Sequence, residues 1–396
     1  MKKLCFISFI IIFFLSILNC PTQDSGSGGG NNDDQIIYYG HLDTSFDTGT
    51  GPDNVINSIA IQSDGKLIIA GDFSSYNGTS IRRIARINPD GSLDLTFDPD
   101  NSVNGFIDKV AIQSDGKILL AGSFSSYNGT TRNNLARINS DGSLDASFDP
   151  GVGADSRVKT ITIQSDEQLL IGGYFVNYNG ISRRHIARIN TDGSLDTSFN
   201  PGNGATSTVI SILEQSDGKI LIGGNFGGYN GNLRNCIARI NTDGSLDVSF
   251  DPGNGANSFI TSLALQSDGK IIIGGFFTSY DDIPINHIAR INTAGSLDLS
   301  FDPGNGANDL INSLAILSDG KIVIGGNFTS YNDISRNHIA RVNADGSLDT
   351  SFANGNGANE NINSIIIQQD NKILIGGEFT SYNDTLINYI ARISGD

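Results

Sequence analysis

One interval governs this chain: 51 residues. The segment Leu-Asp-x-Ser/Thr-Phe begins at Leu42, Leu93, Leu144, Leu195, Leu246, Leu297 and Leu348. A second marker, Gln-Ser-Asp-Gly-Lys or a variant of it, begins at Gln62, Gln113, Gln164, Gln215, Gln266, Leu317 and Gln368. A third, Ala-Arg, ends at Arg86, Arg137, Arg188, Arg239, Arg290, Arg341 and Arg392. Every spacing is 51, with no insertion or deletion. A fixed period of this size means a repeat architecture, in which each copy buries its apolar face only against its neighbours.

One copy reads as four short strands. Val55 to Gln62 alternates and is rich in β-formers, and Ser63-Asp64-Gly65 is a tight hairpin turn. Lys66 to Phe73 is a second strand with Gly71 inside it, and a loop carrying Tyr76-Asn77-Gly78 follows. Ile84 to Asn88 is a third strand, Asp90-Gly91 a second hairpin turn, and Leu93 to Phe97 a fourth strand. Four antiparallel strands per period describe a propeller blade. A parallel β-helix has no place for paired Asp-Gly hairpins. The expected fold is all-β, a single seven-bladed β-propeller over residues 38–396. Residues 40–396 hold seven whole periods, so the chain enters and leaves the repeat at one turn. That phasing predicts velcro closure: Leu42 to Phe46, from the N-terminal end, supplies the fourth strand of the last blade and removes both open sheet edges.

Residues 1–19 read as a lipoprotein-type signal peptide. Lys2 and Lys3 precede an apolar run from Leu4 to Leu18, too short to span a bilayer as a helix. Ile17-Leu18-Asn19-Cys20 resembles a relaxed lipobox, with Asn19 where a small residue is usual, and marks Cys20 for lipidation. Residues 20–37 then form the lipidated Cys and a flexible Gly/Ser/Asn linker. Membrane contact is expected through the lipid alone, at the bacterial cell envelope, on the outer membrane or cell surface. Cys236 is the one remaining thiol of the propeller, so no disulfide framework exists. The formal charge of −17 argues against a nucleic-acid partner, whose phosphates need clustered Lys and Arg.

The run Ala-Arg-Ile-Asn-x-Asp-Gly-Ser-Leu-Asp-x-Ser-Phe-Asp-Pro-Gly, with Gln-Ser-Asp-Gly-Lys-Ile-x-Ile-Gly-Gly-x-Phe after it, resembles the bacterial delta-60 repeat over residues 38–394. The resemblance implies a β-propeller of unknown function on an exported protein. It implies no activity.

A residue present in all seven copies reads as scaffold first. Gly71 and its copies mark a bulge or close backbone approach. Phe73, Phe97 and their copies read as inter-blade core. The Arg86 column (Arg86, Arg137, Arg188, Arg239, Arg290, Arg341, Arg392) lies across a hairpin from Asp94 and its copies (Asp43, Asp145, Asp196, Asp247, Asp298, Asp349). These read as structural ion pairs within or between blades. Tyr76, Tyr127, Tyr178, Tyr229, Tyr280, Tyr331 and Tyr382, on the loop after the second strand, read first as packed loop anchors and, as the sharper alternative, as candidate ligand-face aromatics. Arg83, Asn134, His185, Cys236, His287, His338 and Tyr389 share one column, expected to be exposed at the start of the third strand and too far apart to share a metal. Faint calcium-loop features, as at Asn190 to Asp196, read as hairpin turns.

No nucleophile, base and orienting residue group together. The chain therefore reads as a non-enzymatic, monomeric propeller without cofactor or metal, acting as a protein-binding or scaffolding module. A multivalent glycan-binding propeller is the alternative. A calcium-dependent or hydrolytic propeller ranks after that.

Overall fold

Asp-Gly turns and alternating apolar residues set up the same antiparallel unit seven times. The structure, a computed structural model, describes residues 39–100 and 102–395. The signal peptide, Cys20 and the linker lie outside the described residues. Among these residues there is no helix, and the chain folds as an all-β, seven-bladed propeller.

In the first blade β1 (Ile56–Ile61), β2 (Leu67–Gly71) and β5 (Ile84–Ile87) form one antiparallel sheet in the order β1-β2-β5. Ile61 pairs with Leu67, and Leu67 with Ile87, so the two Asp-Gly turns lie at the same end of the sheet. Between β2 and β5 the chain makes a small hairpin, β3 (Ser75–Tyr76) with β4 (Thr79–Ser80). Its turn residues Asn77 and Gly78 have φ of 46° and 75°, the left-handed values of a type I′ turn.

The fourth strand is shorter than the sequence suggests. Only Leu93 bridges to Ile87, with Asp94 N–H donating to the Arg86 carbonyl at 2.9 Å. Asp94 then ends it: its carboxylate accepts the Thr96 amide and hydroxyl, and the chain turns so that Phe97 N–H donates back to Asp94. After the turn the chain runs along the next blade. It touches that blade's far turn (Asp98 N–H to Asp141 O, 2.9 Å) and then its small hairpin (Val103 bridged to Tyr127). The loop between blades thus climbs from one end of the sheets to the other.

Seven apolar clusters fill the spaces between blades. One joins Ile68, Ala70 and Ile84 of the first blade to Phe97, Ile107, Leu120 and Tyr127 on the second. Another joins Leu374 and Ile390 of the seventh blade to Phe46, Ile56 and Phe73 at the first, which closes the ring. The N-terminal segment completes the seventh blade: Leu42 bridges to Ile393, Asp43 N–H donates to Arg392 O at 2.8 Å, and Ser394 N–H donates to His41 O at 2.9 Å.

The bulge that positions the central channel comes from glycine. Ile56 pairs with Gly71 and Ser58 with Ala70, which leaves Asn57 as the extra residue. A Cβ on Gly71 would strike the Val55 carbonyl, so the backbones meet this closely only through glycine. The bulge turns Asn57 and its copies toward the axis.

Candidate functional site

The innermost strands surround a polar cavity of about 580 Å³. Two neighbouring columns build the polar part of its wall, and an apolar column (Ile161, Ile212, Leu263, Leu314 and Ile365) continues it. The bulge column is Asn57, Asp108, Lys159, Ile210, Thr261, Asn312 and Asn363, and the next is Ser58, Lys109, Thr160, Ser211, Ser262, Ser313 and Ser364. Part of each column stitches blades together. Asn57 Nδ2 donates to Ile107 O at 3.0 Å, and Ser58 Oγ accepts the Val110 amide at 3.2 Å. Ser364 Oγ accepts the Ile59 amide at 3.3 Å, which ties the last blade to the first.

The bulge column also breaks the symmetry. Asp108, buried, receives Arg157 Nε at 2.6 Å and Lys159 Nζ at 2.8 Å. Hydrogen bonding to Asp108 raises the Arg157 guanidinium above its ordinary value, outweighing burial. Nearby, Asp72 is pushed up by burial, with Arg83 opposing and Asp108 adding to the rise. Asp72 Oδ1 and the Arg83 Nε and Nη1 atoms are buried without hydrogen-bond partners among the described residues.

The rim above is equally uneven. Residues that flank the bulge are Val55, Phe106, Arg157, Thr208, Phe259, Leu310 and Asn361 before it, and Asp72, Ser123, Tyr174, Asn225, Phe276, Asn327 and Glu378 after Gly71 and its copies. Phe106, Tyr174 and Phe276 are 51, 50 and 45% exposed, so three large aromatics stand in solvent at one mouth. Arg83 lies over the Phe106 ring at 5.3 Å, and Phe259 stacks on Phe276 at 5.5 Å. Charge therefore collects at blades one to three, beside Phe106 and Tyr174, and a stacked aromatic pair stands at blade five. An alignment of the seven copies carries this signal, since Lys109 stands where the others have Ser or Thr. Counting strand periodicity alone does not reveal it.

The tyrosine column lies elsewhere. All seven side chains are fully buried, and each hydroxyl donates to a glycine carbonyl of the third hairpin turn, Tyr76 to Gly91 at 2.7 Å and Tyr382 to Gly40 at 2.7 Å. Tyr127, Tyr178, Tyr229, Tyr280 and Tyr331 donate likewise to Gly142, Gly193, Gly244, Gly295 and Gly346. They are not ligand-face residues. The phenol needs a partner when buried, and the turn carbonyl is within its reach.

The His287 column also differs from expectation. His287, His338 and Cys236 are buried, not exposed. Each residue of the column adopts positive φ, 62–66°. This kink folds the imidazoles back onto the second strand, where Nδ1 of His185, His287 and His338 meets a glycine carbonyl at 3.0–3.1 Å. A carbonyl only accepts, so Nδ1 carries the proton. Burial pushes His185 and His287 below the ordinary histidine value. Among the described residues no three His, Cys, Asp or Glu side chains converge as metal ligands.

The Arg and Asp columns meet within each blade, Nε to Oδ2 at 2.6–2.8 Å. Each arginine does more than pair. Its Nη1 donates to a turn carbonyl of the next blade (Arg137 to Thr191 O, 2.6 Å; Arg392 to Pro89 O, 2.8 Å), and its guanidinium lies 4.8–5.2 Å over the Phe of the fourth segment. One side chain thus joins a turn, an aromatic ring and two blades.

Comparison with known proteins places this geometry. The ring is similar to the WD40 β-propeller domain of Doa1, with 14% identity over 91% of this chain and 97% of that one, TM-score 0.56. It is also similar to streptogramin B lyase, with 16% identity over 90% and 98%, TM-score 0.54. A third similar structure is the extracellular domain of BT3049 from B. thetaiotaomicron, described as a hybrid two component system, with 18% identity over 87% of this chain and 40% of that one, TM-score 0.54. At such identities the likeness is one of fold. No curated protein matches the sequence. The model of one family matches at residues 62–97, 113–148, 164–199, 215–250, 266–301, 317–352 and 368–396, one match per blade, and the chain belongs to that family, the β-propellers of the domain of unknown function DUF5122.

Proposed function

We propose that this chain is a non-enzymatic recognition propeller, held at the bacterial cell envelope by a lipid on Cys20, that binds a protein partner across the mouth of its channel. One observation carries the reading. The columns identical in all blades are consumed by packing, whereas the channel mouth differs from blade to blade and exposes Phe106, Tyr174 and Phe276 beside a charged cluster. An uneven rim of exposed aromatics and arginine suits one partner in one orientation. Seven equivalent glycan sites would need the tyrosines that are buried, so the multivalent alternative loses its contact residues. The apolar run ending at Cys20 and the likeness to bacterial extracellular domains support the location.

The test is photo-crosslinking in cells, with the crosslinker at Phe276 on the rim or at Asp217 in an inter-strand turn at the other end of the sheets. A single protein adduct from position 276, lost in a Phe106→Ser variant that melts like wild type, is the expected result. Adducts from 217 alone, or none that depend on the rim, would overturn the reading. Cys20→Ser should move the protein out of the membrane fraction in the same cells.

A further inference from the structure

Deeper than the rim, Lys109 occupies a position that the other blades give to Ser or Thr. The exchange forgoes a contact that four of the six hydroxyls in this column make. Ser58, Ser262, Ser313 and Ser364 each accept an amide of the following blade through Oγ, at 3.1–3.3 Å. An ammonium only donates, so Lys109 makes no such link. Nor does it have a counter-charge: among the described residues no carboxylate lies within ion-pair distance of Lys109. Asp108, next in sequence, is committed to Arg157 and Lys159. Glu378, the other acid on the cavity wall, is exposed and accepts from Asn361. Burial and the neighbouring Lys159 both push the Lys109 ammonium down from its usual value, so the fold gains nothing from this charge. The hydroxyls at its level face the same cavity, and a hydroxyl that accepts an amide keeps its own proton for donation. An unpaired cation, a second cation behind it and a ring of O–H donors together match an anion's needs.

We infer that the channel is an anion site, in which Lys109, backed by Lys159 and the hydroxyls of Thr160, Ser262 and Ser313, binds the carboxylate or phosphate of a small polar molecule. The ligand enters from the mouth and occupies a cavity of about 580 Å³, room for a sugar acid or a sugar phosphate but not for a folded partner. This site is independent of the partner proposed for the rim.

Isothermal titration of the full chain with galacturonate, inorganic phosphate and neutral galactose tests the inference. Wild type should bind at least one of the two anions saturably at a single site and should not bind galactose. Lys109→Ser restores the residue of the other blades, so it should fold; its affinity should fall about tenfold or more, the loss expected for one charge-assisted hydrogen bond. Lys109→Arg should recover most of it, and Lys109→Gln gives a second neutral variant should the serine form melt poorly. Preference for galacturonate would identify the group as a carboxylate, and preference for phosphate as a phosphoryl group. Equal binding by wild type and Lys109→Ser, equal binding of galactose, or no saturable binding of either anion would overturn the site. Absence of a rim crosslink in the wild type, with anion binding intact, would refute the partner reading alone.

Discussion

Ring closure depends on residues 39–48, ten residues that are remote in sequence from the blade they complete. A chain that begins at Gly49 lacks them. Leu42 no longer bridges Ile393, and Tyr382 loses its acceptor, the Gly40 carbonyl. Arg392, buried in the intact ring, loses Asp43, Ser45 and the face of Phe46. Phe46 is 3% exposed in the cluster shared by the seventh and first blades. Deleting a buried Phe side chain costs about 3–5 kcal/mol. Stranding a buried charge by removing its partner costs about 3–5 kcal/mol. The two share a contact and are not strictly additive, yet together they approach the whole stability of a typical domain, about 5–15 kcal/mol. The shortened chain should therefore lose its cooperative urea transition, or show a much lower midpoint, and should associate through the exposed edge of Ile390–Ile393. Circular dichroism with size-exclusion chromatography reads both effects. A chain that begins at Tyr38 keeps every one of these contacts and should behave like the full protein. If the chain from Gly49 melts with the midpoint and slope of the chain from Tyr38, closure by the N-terminal segment contributes nothing and the ring is held some other way.

Two further outcomes follow from the repeated columns. Tyr178→Phe leaves the buried Gly193 carbonyl without its donor and should cost about 1–3 kcal/mol in urea unfolding, with anion binding unchanged; a loss of binding at unchanged stability would return the tyrosines to the ligand face. The second concerns acid. Burial alone would raise the Asp145 and Asp349 carboxyls, but Ser147 and Arg137 hold Asp145 at about 2, and Ser351, Lys321 and Arg341 hold Asp349 at about 2; Asp43, Asp94, Asp196, Asp247 and Asp298 are likewise below the usual 3.8. A depressed folded value means stability that is present above the unfolded pKa and lost as pH falls toward the folded one. The melting temperature should hold from pH 7 to roughly pH 5 and then drop steeply toward pH 2; a flat profile to pH 2 would show that these pairs do not support the ring.

Blade number, strand order and closure were legible because they rest on chain periodicity and turn chemistry, which are written in every copy. The fourth strand was legible only in part. Leu93 to Phe97 alternates like a strand, yet Asp94 captures the Thr96 amide and turns the chain after one bridge. The tyrosines kept a contact role as a second reading beside packed anchors because their hairpin is a loop in sequence. In space the hairpin folds against the blade and the hydroxyl reaches a turn carbonyl. The channel wall was illegible to period-two counting for a specific reason. The bulge inserts one residue at Asn57 and its copies, so alternation counted from Ile56 assigns the wrong face to what precedes or follows it. Only the register against Gly71 shows that the Asn57 and Ser58 columns both reach the cavity.

Seven-fold repetition also works as a filter between stability and function. A ring selected for packing alone would keep one best residue in each column, as the Arg86, Asp94 and Tyr76 columns do. Departures that cost nothing, such as those among the exposed residues between Asp94 and Thr96, carry little information. Lys109 is different, because its departure has a cost: an inter-blade hydrogen bond forgone and a charge held in a cavity without a counter-ion. Asp108, Arg157 and Lys159 surround the same opening, and they too stand in columns where the remaining copies hold neutral residues. Four charged departures gathered on two adjacent blades around one opening, with Asp72 and Arg83 of the first blade beside them, are hard to derive from packing. They are what an asymmetric ligand would demand of a symmetric frame, and they are the ground for proposing recognition on the axis of the ring, away from its repeated outer face.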